Sequence, residues 1–345
     1  MASHLVLDPK KRLPLLRAPP EGHHAHKHLP EGKVVTHPST ATNDENAQIY
    51  FIGNATTVIE WRGIRILTDP NFLHAGDHVH LGPGITAQRR TNPAVDLEDM
   101  PPIDVILLSH YHEDHFDKLV ENSLNRNFPI ISTPHAKKNL SSDEIKDEPF
   151  HAVTALDFFE SIFFDIHSGD PGSHGQPVIK VTAMPGKHKP EGIAYEDLPI
   201  PPTNGWLLEF GYLPDASETG TGTGTVTVKT GYRVYISGDT LFVDELKEIP
   251  KRLKDDKIDL MLVHLGGTTV PGPTGMVMVT MDAKQGLQLV QLIKPKLTLP
   301  IHYDDYDAFL SPLSDFKAEM QKAGLDNQVV YLDRGELYRF TVKEP

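Results

Sequence analysis

Val105-Ile106-Leu107-Leu108-Ser109-His110-Tyr111-His112-Glu113-Asp114-His115-Phe116-Asp117 is the stretch on which the fold turns. Its four apolar leading residues are too few for a helix and read as a strand buried on both faces. Three histidines and an aspartate follow at once. At a strand end, side chains two residues apart point to the same side, so His110 and His112 can grip one cation together. The chain then turns toward a helix that would carry Phe116, Leu119, Val120, Ser123 and Leu124 on one face, and Asp114 and His115 can swing toward a second cation. Without cations these groups would repel one another and lack partners, so a merely polar turn is the weaker reading.

Two divalent ions ~3.5–4 Å apart need more ligands than this hexad supplies. Distant residues must complete the set, and three stand where strands should end: His188 after Val178–Ala183, Asp239 in Ser237-Gly238-Asp239-Thr240, and His302 after Lys296–Ile301. Strand-end loops are where a rigid scaffold presents chemistry. His167 and His174 rival His188 but sit in the Gly/Pro-bearing region around Ser168–Gln176, which reads as an insertion. Asp69, in Asp69-Pro70, can accept the free ring N–H of a ligand histidine and fix its tautomer, although a turn-initiating Asp-Pro is an equal reading. His264 and Tyr303 are candidates to face the substrate and donate a hydrogen bond, with simple packing as the alternative.

Working outward, Gln48–Ile52, Thr57–Trp61 and Ile64–Thr68 read as strands, the last two joined at Arg62-Gly63. Further strands are expected at Val178–Ala183, Trp206–Phe210, Val226–Lys229, Arg233–Ser237, Ile258–Val263, Lys296–Ile301, Val329–Tyr331 and Leu337–Val342. Helices fit Asp282–Ile293 and Leu313–Gly324. Residues 1–46, rich in Pro, His and Lys without apolar period, read as a polar arm that lies on the surface or is disordered. Residues 47–345 then form one catalytic domain with insertions near 140–177 and 213–230. Strands and helices interleave without strict βαβ alternation, which predicts an α/β protein of two mixed sheets packed face to face with helices outside.

Composition narrows the function. The 345 residues carry a formal charge of −14, and the longest basic cluster is the triplet Lys10–Arg12, so nucleic acid is disfavoured as a partner. With no Cys, thiolate metal sites and cysteine nucleophiles are excluded, leaving imidazole and carboxylate as metal ligands. No apolar run reaches the ~20 residues that span a bilayer, and no secretory apolar stretch opens the chain, so a cytoplasmic protein without stable membrane association is expected. The four histidines between His23 and His28 read as part of a solvated arm. Oligomeric state is not encoded in any pattern we recognise.

His-x-His-x-Asp-His, a later His, Gly-Asp-Thr and a final Ile-His-Tyr, in that order, resemble the metallo-β-lactamase superfamily over roughly Gln48 to Phe340. Gly53-Asn54-Ala55-Thr56, Ile66-Leu67-Thr68-Asp69-Pro70 and Pro102–His110 look closest to its ascorbate-6-phosphate lactonase-like and N-acylphosphatidylethanolamine phospholipase D-like branches. The resemblance implies an αβ/βα sandwich with the site at one edge. It implies that His110, His112 and His188 hold one ion and Asp114, His115 and His302 the other, with Asp239 bridging. Zinc is the expected metal, with manganese or iron also suited to these ligands, and Asp114 would orient the attacking hydroxide. Many relatives have His where this chain has Asn54. The function expected is a dinuclear hydrolase that opens a small lactone or lactam. Phosphodiester or phospholipase D-like cleavage is the alternative, in which Arg89-Arg90 could take a phosphate, and a non-catalytic metal protein is the third reading.

Overall fold

Alternation along a strand sorts its side chains onto two faces, and in both large sheets of this chain both faces are apolar, so each must be covered twice. The computed structural model describes residues 3–18, 26–39, 44–167, 175–214, 228–273 and 275–345. One sheet has seven strands in the order Ser3–Leu7, Ser161–Ile166, Gln176–Pro185, Asn204–Leu213, Lys229–Ile236, Leu260–His264, Leu297–Ile301. The other has eight, in the order Val153–Ala155, Ile130–Ser132, Val105–Leu107, Ile64–Thr68, Thr56–Trp61, Ala47–Gly53, Leu337–Phe340, Val34–Val35.

The inner faces meet in one buried cluster that joins Phe51, Ile59, Trp61, Ile66 and Leu107 of the second sheet to Phe164, Val181, Trp206, Phe210 and Leu262 of the first. On the outer face of the eight-stranded sheet, Ile52, Leu67 and Ile106 pack with Val120, Ala136 and Leu140 of the helices Lys118–Ser123 and Pro134–Ser141. On the outer face of the seven-stranded sheet, Leu207, Tyr235 and Met261 pack with Ile249, Leu289, Phe316 and Met320 of three further helices. The layers are therefore helix, sheet, sheet, helix, the α/β sandwich expected.

Strand direction decides where the loops emerge. Lys229–Ile236, Leu260–His264 and Leu297–Ile301 are mutually parallel, and Gln176–Pro185, two antiparallel pairings away, runs the same way. Ile64–Thr68 and Val105–Leu107 are likewise parallel in the second sheet. Their C-terminal ends carry His188, Asp239, His302, Asp69 and His110. The turn from Ala47–Gly53 into Thr56–Trp61 opens at that same end and sets Asn54 at φ +52°, a left-handed conformation that Asn tolerates better than most residues.

Four expectations need correction, and a fifth falls largely outside the described residues. The arm 1–46 contributes structure: Ser3–Leu7 pairs in parallel with Ser161–Ile166 as an edge strand, and Val34–Val35 extends the other sheet. Its apolar residues are few, but Leu7 and Leu15 are buried and Arg12 is paired with buried Asp104. The 140–177 insertion supplies the strands Val153–Ala155 and Ser161–Ile166, with residues 168–174 outside the described residues. The insertion near 213–230 falls largely on residues 215–227, also outside them. Finally, Val329–Tyr331 forms only a single bridge, Val329 to Thr298, and the helix after the hexad is just Lys118–Ser123, so Leu119 stays 47% exposed. Asp117 caps that helix by accepting from the Val120 amide.

Candidate metal centre

The hexad leaves its strand through a turn in which the amides of His115 and Phe116 both donate to the His112 carbonyl, at 3.0 and 2.8 Å. This turn sends His110 and His112 one way and Asp114 and His115 another. His110, His112 and His188 offer ligand atoms within 4.8 Å of one another, and so do Asp114, His115, Asp239 and His302. The structure thus brings together all seven residues expected as ligands, in two adjoining groups. His110 and His115 join them, with ring centroids 4.3 Å apart, and Asp239 Oδ2 lies 3.3 Å from His115 Nε2, 3.5 Å from His302 Nε2 and 3.8 Å from His188 Nε2.

Each distant ligand is placed by a specific backbone device. The loop of His188 is stitched to the loop of Asp239, the Lys187 amide donating to Thr240 Oγ1 (2.8 Å) and the Leu241 amide to the Lys187 carbonyl (2.8 Å). Gly238 turns this loop at φ +62°, where a Cβ would sit 2.3 Å from the Asn204 carbonyl oxygen, so only glycine fits. His302 adopts φ +61° and its amide donates to the Asn54 carbonyl at 3.0 Å.

Imidazole tautomers follow from the same network. His188 Nδ1 lies 2.8 Å from the Val279 carbonyl and His302 Nδ1 3.1 Å from the Leu265 carbonyl, so both donate there and leave Nε2 free as a ligand. His110 Nδ1 lies 2.9 Å from Ser109 Oγ. Asp69 takes the expected supporting position: its Oδ1 accepts from the Ser109 amide at 2.7 Å and its Oδ2 lies 3.4 Å from His115 Nδ1.

Electrostatics divides the two groups. Burial holds the His110 imidazole well below its usual range, with His115 beside it adding to the effect, and pushes His188 down to about 4. Both are neutral at pH 7, as ligands must be. Burial opposes the charged forms of Asp239 and Asp114, but the imidazoles around them outweigh it and hold both carboxyls well below the carboxylate range. Conversely, burial disfavours protonated His115 and His302, and the two carboxylates overcome this and raise both. The second group therefore demands positive charge. His110 Nε2, His112 Nε2 and His264 Nε2 are buried with no hydrogen-bond partner among the described residues. Unpaired imidazole nitrogens beside two ionised carboxylates are poorly satisfied as they stand and fit divalent cations held by nitrogen and oxygen.

Neither of the two residues expected to face the substrate is exposed. Tyr303 is buried against the helical outer layer with its hydroxyl directed to the Leu332 carbonyl (3.5 Å), because its strand end turns the ring away from the ligands. His264 is fully buried within the centre, and its Nδ1 meets Asp239 Oδ1 at 2.9 Å, so it orients a ligand. Thr280 Oγ1 donates to the other Asp239 oxygen at 2.9 Å. Arg89 cannot take a phosphate: its side chain is buried 3.0 Å from Asp305 Oδ1.

Sequence reading missed Thr280 and Asp305 as parts of this centre, and marked Asn54 only as a departure from relatives without giving it a role. Asn54 Nδ2 donates to the Asp114 carbonyl at 2.5 Å, while its amide donates to Asp305 Oδ2 at 2.9 Å. The signal for Asn54 was its place after Gly53 in a turn between two strands. Thr280 carried none, since a lone Thr before a helix cap is ordinary.

A cavity of about 230 Å³ opens beside His112, between the hexad turn, the hairpin strand His78–Gly82 and the segment around Tyr195 to Pro201. His112 is thus the ligand within reach of an incoming molecule.

Residues 64–303 match the family described as the beta-lactamase superfamily domain. A UPF0173 metal-dependent hydrolase of Carboxydothermus hydrogenoformans is 26% identical over 293 residues, covering 84% of this chain and 98% of that protein. The N-acyl-phosphatidylethanolamine-hydrolyzing phospholipase D 1 of Caenorhabditis elegans is 23% identical over 337 residues, 91% of this chain and 84% of that one. Among solved structures, an isothiocyanate hydrolase from Delia radicum gut bacteria superimposes with a TM-score of 0.63 at 16% identity, covering 86% of this chain and 100% of that chain. The structural likeness is one of fold.

Proposed function

We propose, from the premise that this chain belongs to the metallo-β-lactamase superfamily, that it is a dinuclear metal-dependent hydrolase opening a small cyclic ester or amide. The observation that carries the reading is the meeting of the two ligand groups at Asp239, with His112 of the first group bordering a cavity of about 230 Å³. His110, His112 and His188 would hold one ion and Asp114, His115 and His302 the other, with Asp239 shared. Zinc is the first choice, and manganese or iron suits the same donors. Two such ions would supply hydroxide at neutral pH and polarise the oxygen of the bond under attack.

The chain's own residues do the rest. Asp114 Oδ1 has no aligned hydrogen-bond partner and is the group available to orient the nucleophile. His264 and Thr280 hold one Asp239 oxygen each, so the shared ligand cannot rotate. A pocket below the ~300–1,000 Å³ of drug-sized sites favours a small substrate over a two-chain phospholipid. No helix among the described residues is long and apolar enough to cross a membrane.

Phosphodiester cleavage is the second reading, favoured by the similarity to the nematode phospholipase D along 91% of this chain. Parallel rate measurements on lactones and lactams, bis-aryl phosphodiesters and phospholipid vesicles, with elemental analysis of the same preparation, separate the two. We expect two ions per chain and the highest kcat/KM on a cyclic ester or amide. Vesicle phospholipid turned over faster than every cyclic substrate would reverse the substrate assignment, and metal-free protein with full activity would end the metal-dependent reading.

A further inference from the structure

The walls of the cavity beside His112 specify more than its size. Leu81, Tyr111, Tyr195, Pro199 and Pro201 present apolar or aromatic surface to it. Its two charged lining residues, Lys118 and Glu113, face each other at 3.7 Å. Lys118 is also 3.0 Å from Glu121, which lies below the pocket wall and pairs with Lys146 as well. Two lysines thus meet two glutamates, and the sum is zero.

The polar atom of the main aromatic wall is committed too. The Tyr111 hydroxyl donates to Glu121 at 2.9 Å and accepts from Lys146 at 2.8 Å, and Lys118 Nζ and Lys146 Nζ lie 5.9 and 5.2 Å from its ring centroid, so these cations are already matched by the ring and by Glu121. Lys189, which does not line the cavity, lies 5.8 Å from the Tyr195 ring centroid. His80 is engaged by Glu113, 3.2 Å from its Nδ1. His135 is half-buried, with its Nε2 3.3 Å from Asn139 Nδ2. A charged substituent entering here would lose its water and find no uncompensated opposite charge on Lys118 or Glu113, the two charged residues of the lining, whereas a hydrocarbon group would gain contact on several sides.

We propose that the part of the substrate remote from the scissile bond is uncharged and apolar, a flat or compact hydrocarbon group packed between Tyr111, Tyr195 and Leu81. This rests on the hydrolase reading for the position of the scissile bond, but the packing itself does not depend on the reaction.

The test has a binding arm and a kinetic arm, both on full-length, metal-loaded protein. Calorimetry compares two cyclic ethers that cannot be hydrolysed, 2-phenyltetrahydrofuran and unsubstituted tetrahydrofuran. The phenyl group should tighten binding about 10- to 100-fold. Tyr195→Ala should remove most of that gain without unfolding the chain, since Tyr195 is 47% exposed. A phenyl ether that binds no tighter than its parent, or a gain that survives both Tyr195→Ala and Leu81→Ser, overturns the proposal. Kinetics then compares γ-butyrolactone carrying a γ-phenyl or a γ-carboxylate group, with the same scissile bond. A kcat/KM at least about tenfold higher for the phenyl lactone is expected, and an equal or higher value for the carboxylate refutes the inference. If neither lactone is hydrolysed while the phenyl ether still binds through Tyr195, the reaction class fails and the pocket assignment stands.

Discussion

His110, His112 and His188 on one side and Asp114, His115, Asp239 and His302 on the other are neighbouring ligand groups built by opposite means. In the first, His110 and His188 each lean on one good hydrogen bond, to Ser109 and to the Val279 carbonyl. His112 has only Asp114 Oδ1 at 2.9 Å, without hydrogen-bond alignment, and its side chain is 11% exposed at the mouth of the cavity. In the second group all four residues are buried and braced: Asp239 by His264 and Thr280, His302 by Leu265 and Asn54, Asp114 by Asn54, His115 by Asp69. The difference follows from charge. Neutral imidazoles can sit in a low-dielectric site with few supports, but two buried carboxylates must be compensated and fixed from every direction. On the proposed reading the first group would be the face open to substrate and the second the anchor.

The largest effect should come from the residue the groups share. Asp239→Ala removes the carboxylate that lies within 4 Å of ligands from both groups, and should lose both ions and at least ~10³-fold in kcat, as expected when the polarising centre is removed. His112→Ala should do less to metal content: elemental analysis should find about one ion per chain, retained by the buried group, with turnover still nearly lost. An Asp239→Ala protein that kept one ion would show the groups to be independent and break the comparison.

A finer cut goes through Asn54, which touches only the second group. Asn54→Gly keeps the left-handed turn and the backbone bonds to Asp305 and His302, and removes only the amide that holds the Asp114 carbonyl. Support of this kind is typically worth ~10–100-fold in metal affinity. We expect a loss in that range for the second ion and an unchanged first ion, followed by competitive chelator titration of cobalt-substituted protein. Equal weakening of both sites would mean that the support is not divided as the geometry divides it.

The asymmetry also explains what could be read from sequence. The candidate ligands stood out in the sequence because each sits at the end of an apolar run, where period and chemistry change together, as in Val105–Leu108 giving way to His110. The two sheets were legible for the same reason, and the helix Ala283–Ile293 begins at its cap, Asp282. Among the braces Asp69 was legible from its place at a strand end, but Thr280 and Asp305 act across 41 and 251 residues of chain with no local pattern, and the turn at Gly53-Asn54 gives no sign of the Asp114 carbonyl 60 residues on. Tyr303 misled because its neighbour His302 is a ligand, while the left-handed residue between strand and loop sends the next side chain elsewhere. The arm misled because composition weighs many polar residues against a few apolar ones, and Leu7 and Leu15 are enough to dock it.

The smallest expected effect on the centre concerns that arm. Its docking lies on the far side of the elements that carry the hexad: Arg12 pairs with Asp104, one residue before the strand Val105–Leu107, at 2.8 Å. Leu16 bridges to Leu124 just beyond the helix Lys118–Ser123. Deleting residues 1–17 would expose the contacts of Leu7 and Leu15, each worth ~1.5–3 kcal/mol as an upper estimate. It would also leave Asp104 with the Arg65 amide (2.7 Å) as its remaining tie. Part of the loss is offset because the freed arm regains conformational entropy. A net loss of ~2–4 kcal/mol, read as a lowered urea midpoint, is therefore expected. Both ions should stay bound, and kcat/KM at 25 °C should remain within about twofold, because the pairings seen for residues 3–17 are with elements other than the two ligand groups. If the truncated protein held its stability, the edge strand would be ornamental. If it stayed folded but lost the first ion alone, the open group would depend on bracing from behind, and its sparse support would lie in the arm rather than in neutral imidazoles.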